Sequence, residues 1–396
     1  MGSHDEMKKY VARDSFDVVV VGGGPAGSTC ARLCAGQGLS TCLVEEHAGP
    51  GHPVQCAGLL STAAFRECEV SRRAVIHEVS GARIVTGLGS ELSFDAGSTR
   101  AVVVDRAILD QEMLMAAARA GAEIRVKTAC YGVSGTGIET RSRSGTEVIR
   151  FRVLIAADGP RSSVARMLGM ERPRVYLSGL QAEIPRDMDG KRVELYPDVS
   201  PDFFGWIIPA GKGRARIGLA GLRDVRGRFE RFLGSAGADS CLHLVSGTLP
   251  LGVMPRTYGH RTLFVGDAAG FPKPTSGGGV YTGVRSARHA AGVASEACRL
   301  CDTSDRVLSA YEKRWKADFG RELDTGFLIF RLRQRITPEE MDRLVQMLND
   351  PDVIRDIREY ADMDRPGAIF RRILRNPKIY PVLGILFRNA VTNFFK

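Results

Sequence analysis

Gly22, Gly24 and Gly27, with the acid Glu45 placed 18 residues further on, are the first residues in this chain whose types and spacing point to chemistry. A GxGxxG turn followed at that distance by an acid holds an adenine dinucleotide by its pyrophosphate. Gly22 makes the tight turn, Gly24 lets backbone approach the phosphates, and Gly27 lets helix pack closely on strand. Glu45 is then placed to accept hydrogen bonds from the adenosine ribose. Three elements must position these residues: a buried strand over 16–21, a helix from 25 to about 36, and a second strand over 40–45. The helix N-terminus supplies unpaired N–H groups and partial positive charge. The motif also occurs as a ligand-free turn, but the flanking strand, helix and acid weigh against that reading. These residues leave NAD and FAD undecided.

The chain has 396 residues, 44% apolar and 25% charged, ordinary globular values with room for two domains or one large composite domain. No apolar run reaches the ~20 residues of a membrane span. The polar N-terminus carries no secretory signal. Nine cysteines, odd in number and without framework spacing, point to a reducing cytoplasm. A formal charge of +10 raises nucleic acid, anionic membrane and acidic ligands as partners. From Arg365 onward the chain carries Arg371, Arg372, Arg375, Lys378, Arg388 and Lys396 and no Asp or Glu, interleaved with aliphatic and aromatic residues. Such a segment suits either the surface of an anionic bilayer or a packed helical cap with a solvated basic face. No nucleic-acid signature accompanies it, so nucleic acid is not expected as a partner.

Beyond the second strand, the glycine- and proline-rich stretch 49–59 is expected to be a shaped loop. Short alternating stretches over 81–104 interrupt the nucleotide fold, which resumes with a helix over 106–120 and a strand over 123–127. A meander follows, then a buried strand over 153–157 ending at Asp158. A second block of short strands fills 175–255, and the chain returns to the nucleotide domain at 261–267 before a long helix from 280 to about 300. The two inserted blocks are expected to share one sheet. Cys298 and Cys301 form a CxxC without further ligands nearby, which favours two helix residues over a redox or metal pair. His52, Tyr281 and His289 are polar residues near the motifs, with packing or solvent contact expected for each.

Three further stretches narrow the cofactor. Arg106 opens a helix after an insert; Asp158-Gly159 lies within Ala156-Ala-Asp-Gly-Pro-Arg-Ser-Ser-Val164; and Leu263-Phe-Val-Gly266-Asp267-Ala-Ala-Gly270 follows later. In this order they resemble the glutathione-reductase-like flavoproteins related to aromatic hydroxylases, which implies FAD. Asp267 can accept a hydrogen bond from a ribityl hydroxyl, and the turn at Gly279 and Val280 can bring N–H groups and a helix N-terminus to the flavin. Arg106 can reach the phosphates, with Asp158 ordering the turn beside them. No second glycine motif marks a separate NAD(P)H domain, so the electron donor is external: NAD(P)H bound transiently, ferredoxin or another carrier.

Two stretches narrow the activity. The loop Pro53-Val-Gln55-Cys56-Ala57-Gly58-Leu59 and the stretch Phe204-Gly-Trp206-Ile-Ile-Pro209 resemble the geranylgeranyl reductases, especially the archaeal digeranylgeranylglycerophospholipid reductases. The loop lacks that family's usual acid, and Phe204 and Ile208 replace its Tyr and Phe. The second change brings the strand closer to flavin-dependent halogenases. The resemblance implies an α/β fold, with a glutathione-reductase-like Rossmann FAD-binding domain over 15–80, 105–172 and 256–300. It further implies an inserted antiparallel substrate sheet over 81–104 and 173–255, and a helical C-terminal region over 301–396. It places Gly22, Gly24, Ala26, Gly27, Glu45, Gln55, Cys56, Ala57, Gly58, Arg106, Cys130, Asp158, Asp267, Gly279 and Val280 at the cofactor. Cys130 would meet the adenine through its backbone. Phe204, Trp206 and Pro209, with Ile207 and Phe203, would line the prenyl chain. The implied activity is saturation of geranylgeranyl C=C bonds in membrane-lipid precursors by hydride from flavin, in the cytoplasm at the inner membrane face. Cys56 is either a chemical participant beside the flavin or a small residue chosen for fit. The alternatives are a flavin-dependent monooxygenase or halogenase, and a flavin- or lipid-binding protein without its own chemistry.

Overall fold

The computed structural model describes residues 14–51, 54–211, 213–238, 240–373, 375 and 380. Ser15–Val21 lies at the centre of a parallel sheet, and its Val18, Val19 and Val20 are fully buried. Thr41–Val44 and then Glu123–Arg125 extend the sheet on one side, Gly145–Ala156 and then Thr262–Phe264 on the other. A strand covered on both faces needs an unbroken apolar run rather than an alternating one, which is what its valines provide. Pro25–Gly36 packs against the sheet and touches both Arg106–Arg119 and Val280–Arg299. The chain leaves the central strand to one side and returns on the other. The crevice at the carboxyl ends of Ser15–Val21 and Gly145–Ala156 is therefore the switch point where such sheets bind ligands.

Gly145–Ala156 is one strand where the sequence reads as two. Its first half pairs antiparallel with Gly137–Ser142, and its second half joins the parallel sheet. No glycine or proline interrupts it between Thr146 and Ala156, so nothing ends the strand at the change of partner.

A second sheet has seven strands, in the order His243–Leu251, Val175–Pro185, Arg214–Gly221, Gly205–Pro209, Arg192–Tyr196, Gly81–Val85 and Glu91–Asp95. The blocks 81–95 and 175–251 thus share a sheet, joined by the parallel pair Arg192–Tyr196 and Gly81–Val85. Ala101–Val104, expected with them, is instead the middle strand of a three-stranded sheet between Leu59–Ser61 and Val75–Val79. All four of its residues are buried, a pattern that suits a central strand and not the edge position beside Glu91–Asp95.

Val225–Ser235 covers one face of the seven-stranded sheet, packing Phe229 and Phe232 on Ile207, Ile217 and Leu219. The C-terminal region is helical: Asp305–Trp315, Arg321–Arg333, Pro338–Leu348, Pro351–Tyr360 and Gly367–Ile373, with a π turn Lys316–Gly320 between the first two. Buried Tyr311 fastens it to the nucleotide sheet by donating to the Phe264 carbonyl at 2.7 Å. Among the described residues no helix is long and apolar enough to cross a membrane. Of the basic C-terminal residues, Arg372 pairs with Asp356 at 2.9 Å and Arg365 lies 3.9 Å from Asp318. Lys378, Arg388, Lys396 and His52 lie outside the described residues, as does Pro53 of the loop before Cys56.

Candidate functional site

At the nucleotide end the three glycines serve different purposes. Gly22 has φ +103°, and a Cβ there would stand 2.3 Å from the Ala157 carbonyl oxygen, so only glycine fits. A Cβ on Gly27 would stand 1.9 Å from the Gly22 oxygen, while one on Gly24 would meet nothing within 4 Å. The first two are required by the fold, and Gly24 is an open face. It caps Pro25–Gly36, whose N-terminus has no side-chain cap and no acid in its first turn. A helix of 12 residues begun without a cap leaves N–H donors for an anion.

Glu45 is buried and already engaged. Its Oε2 accepts from the Gly23 N–H at 2.7 Å, and its Oε1 from the His47 backbone N–H at 2.9 Å, with His47 Nδ1 at 2.7 Å. Three contacts on a carboxylate with about four acceptor positions leave one for a ribose hydroxyl. Gly23 and His47 are contributors that the spacing rule does not reveal. Asp158 accepts from Ser162 Oγ at 2.8 Å, Ser163 Oγ at 3.1 Å and the Val164 N–H at 2.9 Å, so it is committed to shaping its own turn. Cys130 lies in the antiparallel strand Ala129–Ser134, and burial pushes its thiol up to about 12, so it is neutral. Arg106 forms a fork with Asp110 four residues on, at 2.9 and 2.8 Å, taking two of its five donors. Burial opposes its charge, but Asp110 and Cys56 hold its pKa above the ordinary value. The same guanidinium acts on Asp267. Arg106, Cys56 and Asp267 therefore share one neighbourhood.

Asp267 sits in the tight turn Gly266–Ala269. A Cβ on Gly279 would stand 2.7 Å from its Oδ1, so the two motifs meet at the head of Val280–Arg299, a 20-residue helix also lacking a side-chain cap. Ala26 joins them, since a Cβ on Gly266 would be 3.1 Å from its methyl. No hydrogen-bond donor among the described residues reaches the Asp267 carboxylate, and burial raises its pKa from 3.8 to about 6, against the pull of Arg106. Below this turn Lys273 forms a buried ion pair with Asp364 at 2.5 Å and donates to the Met363 carbonyl at 2.8 Å. Asp364 also accepts from Ser61 Oγ. This cluster ties the Gly277–Gly279 turn, the strand after Cys56 and the C-terminal region together. Its members are separated by 91 residues (Lys273 and Asp364) and by 303 (Ser61 and Asp364), and no local signal marks them.

The loop holding Cys56 lies on the seven-stranded sheet. Gln181 Nε2 donates to the Cys56 carbonyl at 3.5 Å, and the Trp206 indole donates to Gln181 Oε1 at 3.0 Å. Arg216 Nη1 reaches the Ala57 carbonyl at 2.7 Å and the Val104 carbonyl at 3.3 Å. Gly247 leaves room for Gln55, and Gly58 takes φ +76° beside the Val104 carbonyl. Trp206 lies across Gly218, where a Cβ would stand 2.6 Å from its ring. Phe204 meets Trp206 edge-on at 6.1 Å and stacks with Phe203 at 4.3 Å, and Phe203 lies against the Gly277 turn. The aromatic wall thus spans from the Cys56 loop to the Gly279 turn. Two expected wall residues do not belong to it. Ile207 points to the opposite face, onto Phe229 and Phe232, and Pro209 shares that face by strand alternation. Gln181 and Arg216, the connectors, were not expected. Each is a polar residue in an otherwise largely apolar strand stretch, a signal that exists but names no partner.

These residues fit FAD. Two uncapped helix N-termini, an open Gly24 face, a spare acceptor on Glu45 and an unpartnered Asp267 carboxylate line one crevice. Residues 15–180 match the FAD binding domain family. The chain is 33% identical to digeranylgeranylglycerophospholipid reductase 2 of Methanothermobacter thermautotrophicus, over 91% of this chain and all of the relative. A geranylgeranyl bacteriochlorophyll reductase-like protein of Thermoplasma acidophilum superposes with a TM-score of 0.85 at 26% identity, covering 94% of this chain and 99% of that one. A flavin-dependent brominase superposes with a TM-score of 0.69 at 17% identity, covering 91% and 98%, a likeness of fold.

Proposed function

Because the chain belongs to the digeranylgeranylglycerophospholipid reductase family, we propose that it saturates C=C bonds of geranylgeranyl chains in membrane-lipid precursors, using FAD. The observation that carries this reading is the unbroken wall from Cys56 through Gln181, Trp206, Phe204 and Phe203 to the Gly277 turn. Bound and reduced, FAD supplies the hydride that an unactivated alkene requires. The protein's task is to hold the alkene in register and exclude water. Phe204 and Trp206 bind the chain by apolar contact, at about 0.8 kcal/mol per buried methylene. Gln181 fixes the indole and the Cys56 backbone together, so wall and loop move as one. Glu45, Gly22, Gly24, Ala26 and Gly27 hold the adenosine and phosphates, while Asp267, Gly279 and Val280 hold the ribityl and flavin end. Cys56 is the proposed proton donor to the carbon that does not take hydride. Its thiol sits beside Arg106, which can steady the charge left on sulfur.

The proposed setting is the inner membrane face, reached through the basic segment from Arg365, with an external carrier reducing the flavin. The test is product analysis by mass spectrometry after incubating dithionite-reduced holoenzyme with a geranylgeranyl lipid under argon. Saturated product supports the reading, and product that forms only in air overturns it in favour of oxygen chemistry.

A further inference from the structure

Lys273 stands between Pro272 and Pro274, in the segment that leads into the Gly277–Gly279 turn, and its backbone closes that turn on itself. Its N–H donates to the Gly278 carbonyl at 3.2 Å, and its carbonyl accepts from the Gly277 N–H at 2.8 Å. The side chain then folds back beneath the turn. A Cβ on Gly278 would stand 3.1 Å from Lys273 Cε and 3.4 Å from Nζ, so the ammonium lies directly against the backbone assigned to the flavin end. The carboxylate of Asp364 meets this ammonium at 2.5 Å, and both residues are buried. Asp364 is not among the three atoms nearest that Cβ position, which are Cε, Nζ and Ser276 Oγ at 3.5 Å. Behind the turn the charges are therefore layered, cation first and anion second.

A staple is the simpler account of such a pair, since Asp364 also accepts from Ser61 Oγ and the ammonium donates to the Met363 carbonyl. Stapling explains the contact but not the charges. An apolar pair of matching volume holds two segments as well or better, because each buried ion gives up its hydration. What an apolar pair does not supply is a field. Flavin that takes up two electrons and one proton gains one negative charge, and charges near its ring set how readily it does so. Salt screens a buried ammonium far less than an exposed one. The uncapped head of Val280–Arg299 acts with the same sign, so turn and lysine reinforce each other.

We propose that Lys273 and Asp364 are positioning residues that set the reduction potential of bound FAD: the ammonium raises it, and Asp364 holds the ammonium under the turn while tempering its field. The proposal rests on the assignment of Gly279 and Val280 to the flavin end.

The test is the midpoint potential of FAD bound to wild type, Lys273→Met, Asp364→Asn and the double variant Lys273→Met/Asp364→Leu, read by dye-coupled reductive titration under argon at pH 6. Asn keeps one acceptor for the ammonium and the Met363 carbonyl keeps another, so Asp364→Asn retains the cation without its anion. One buried charge should move the reduction equilibrium about ten-fold, which is about 30 mV for a two-electron couple. Asp364→Asn should lie above wild type by that amount, and Lys273→Met below it. The double variant should lie between Lys273→Met and wild type, because the cation it loses is the nearer group. If Lys273→Met does not hold FAD, the double variant decides the lower arm by its position below wild type. Shifts of one sign in Asp364→Asn and Lys273→Met, as a loosened turn would give, or four equal potentials, would overturn the proposal. Lipid product analysis on the same proteins keeps the readings apart. If the potentials separate as stated and wild type reduces no geranylgeranyl lipid, the reductase reading fails and the electrostatic role stands. If wild type reduces the lipid and the potentials coincide, the electrostatic role fails alone.

Discussion

Replacing Asp267 by Asn separates what this residue does for the fold from what it does for the cofactor. In the protein without FAD, burial lifts its carboxyl from 3.8 to about 6. Between those values the folded chain retains a proton that the unfolded chain has released. Stability from this group is therefore fully present below about pH 3.8 and is lost as pH rises through about 6. At 1.36 kcal/mol per pH unit, the loss at neutral pH is about 3 kcal/mol. Asn has the same shape and no charge to bury, so FAD-free D267N should be more stable than FAD-free wild type by about 3 kcal/mol at pH 7, with the gap closing toward pH 4. Urea unfolding of both proteins across that range reads it directly. The cofactor should show the opposite preference. A ribityl hydroxyl donating to a carboxylate makes a charge-assisted bond, and its loss should weaken FAD about ten- to hundred-fold by fluorescence titration. Parallel unfolding curves with a constant gap, or equal FAD affinity, would refute the assignment of Asp267.

The two glycines at the nucleotide end should respond differently. Gly24→Ala should leave FAD-free stability within about 0.5 kcal/mol yet weaken FAD, whereas Gly22→Ala should destabilise the fold itself by more than about 1 kcal/mol, both read by calorimetry and flavin titration. Lys273→Met alone leaves the Asp364 carboxylate buried without its cation and should cost about 3–5 kcal/mol in urea unfolding, and adding Asp364→Leu should restore much of it. Cys56→Ala should slow alkene reduction by about a hundred-fold or more while leaving flavin reduction by dithionite unchanged, as followed by stopped-flow absorbance and product analysis. Equal rates of alkene reduction would remove Cys56 from the chemistry.

The parts of this site legible in the sequence are those whose logic is local. The turn from Gly22 to Gly27 is set by backbone sterics within a few residues, and Asp267 with Gly279 by a strand end and a helix start. The fork from Arg106 to Asp110, an i, i+4 pair on one helix, was not among the expectations. It changes the picture of Arg106 as a free hand for the phosphates. What was not legible depends on which distant faces meet. Ile207 and Trp206 are adjacent in one strand, and nothing in that strand says that Val225–Ser235 covers the face holding Ile207. Gln181 and Arg216 resemble surface polar residues until the Cys56 loop is laid over them. Lys273 and Asp364 are separated by 91 residues and mean little apart.

The central claim is that reduced flavin in this crevice passes its electrons to a prenyl double bond lying along Trp206. It is tested most directly by mixing stoichiometrically reduced holoenzyme with a geranylgeranyl phospholipid under argon and following flavin absorbance alongside lipid mass. The account predicts reoxidation of the flavin at the rate of product formation, with one double bond lost per flavin. Flavin that stays reduced until air is admitted, or that reoxidises while every double bond survives, would contradict it.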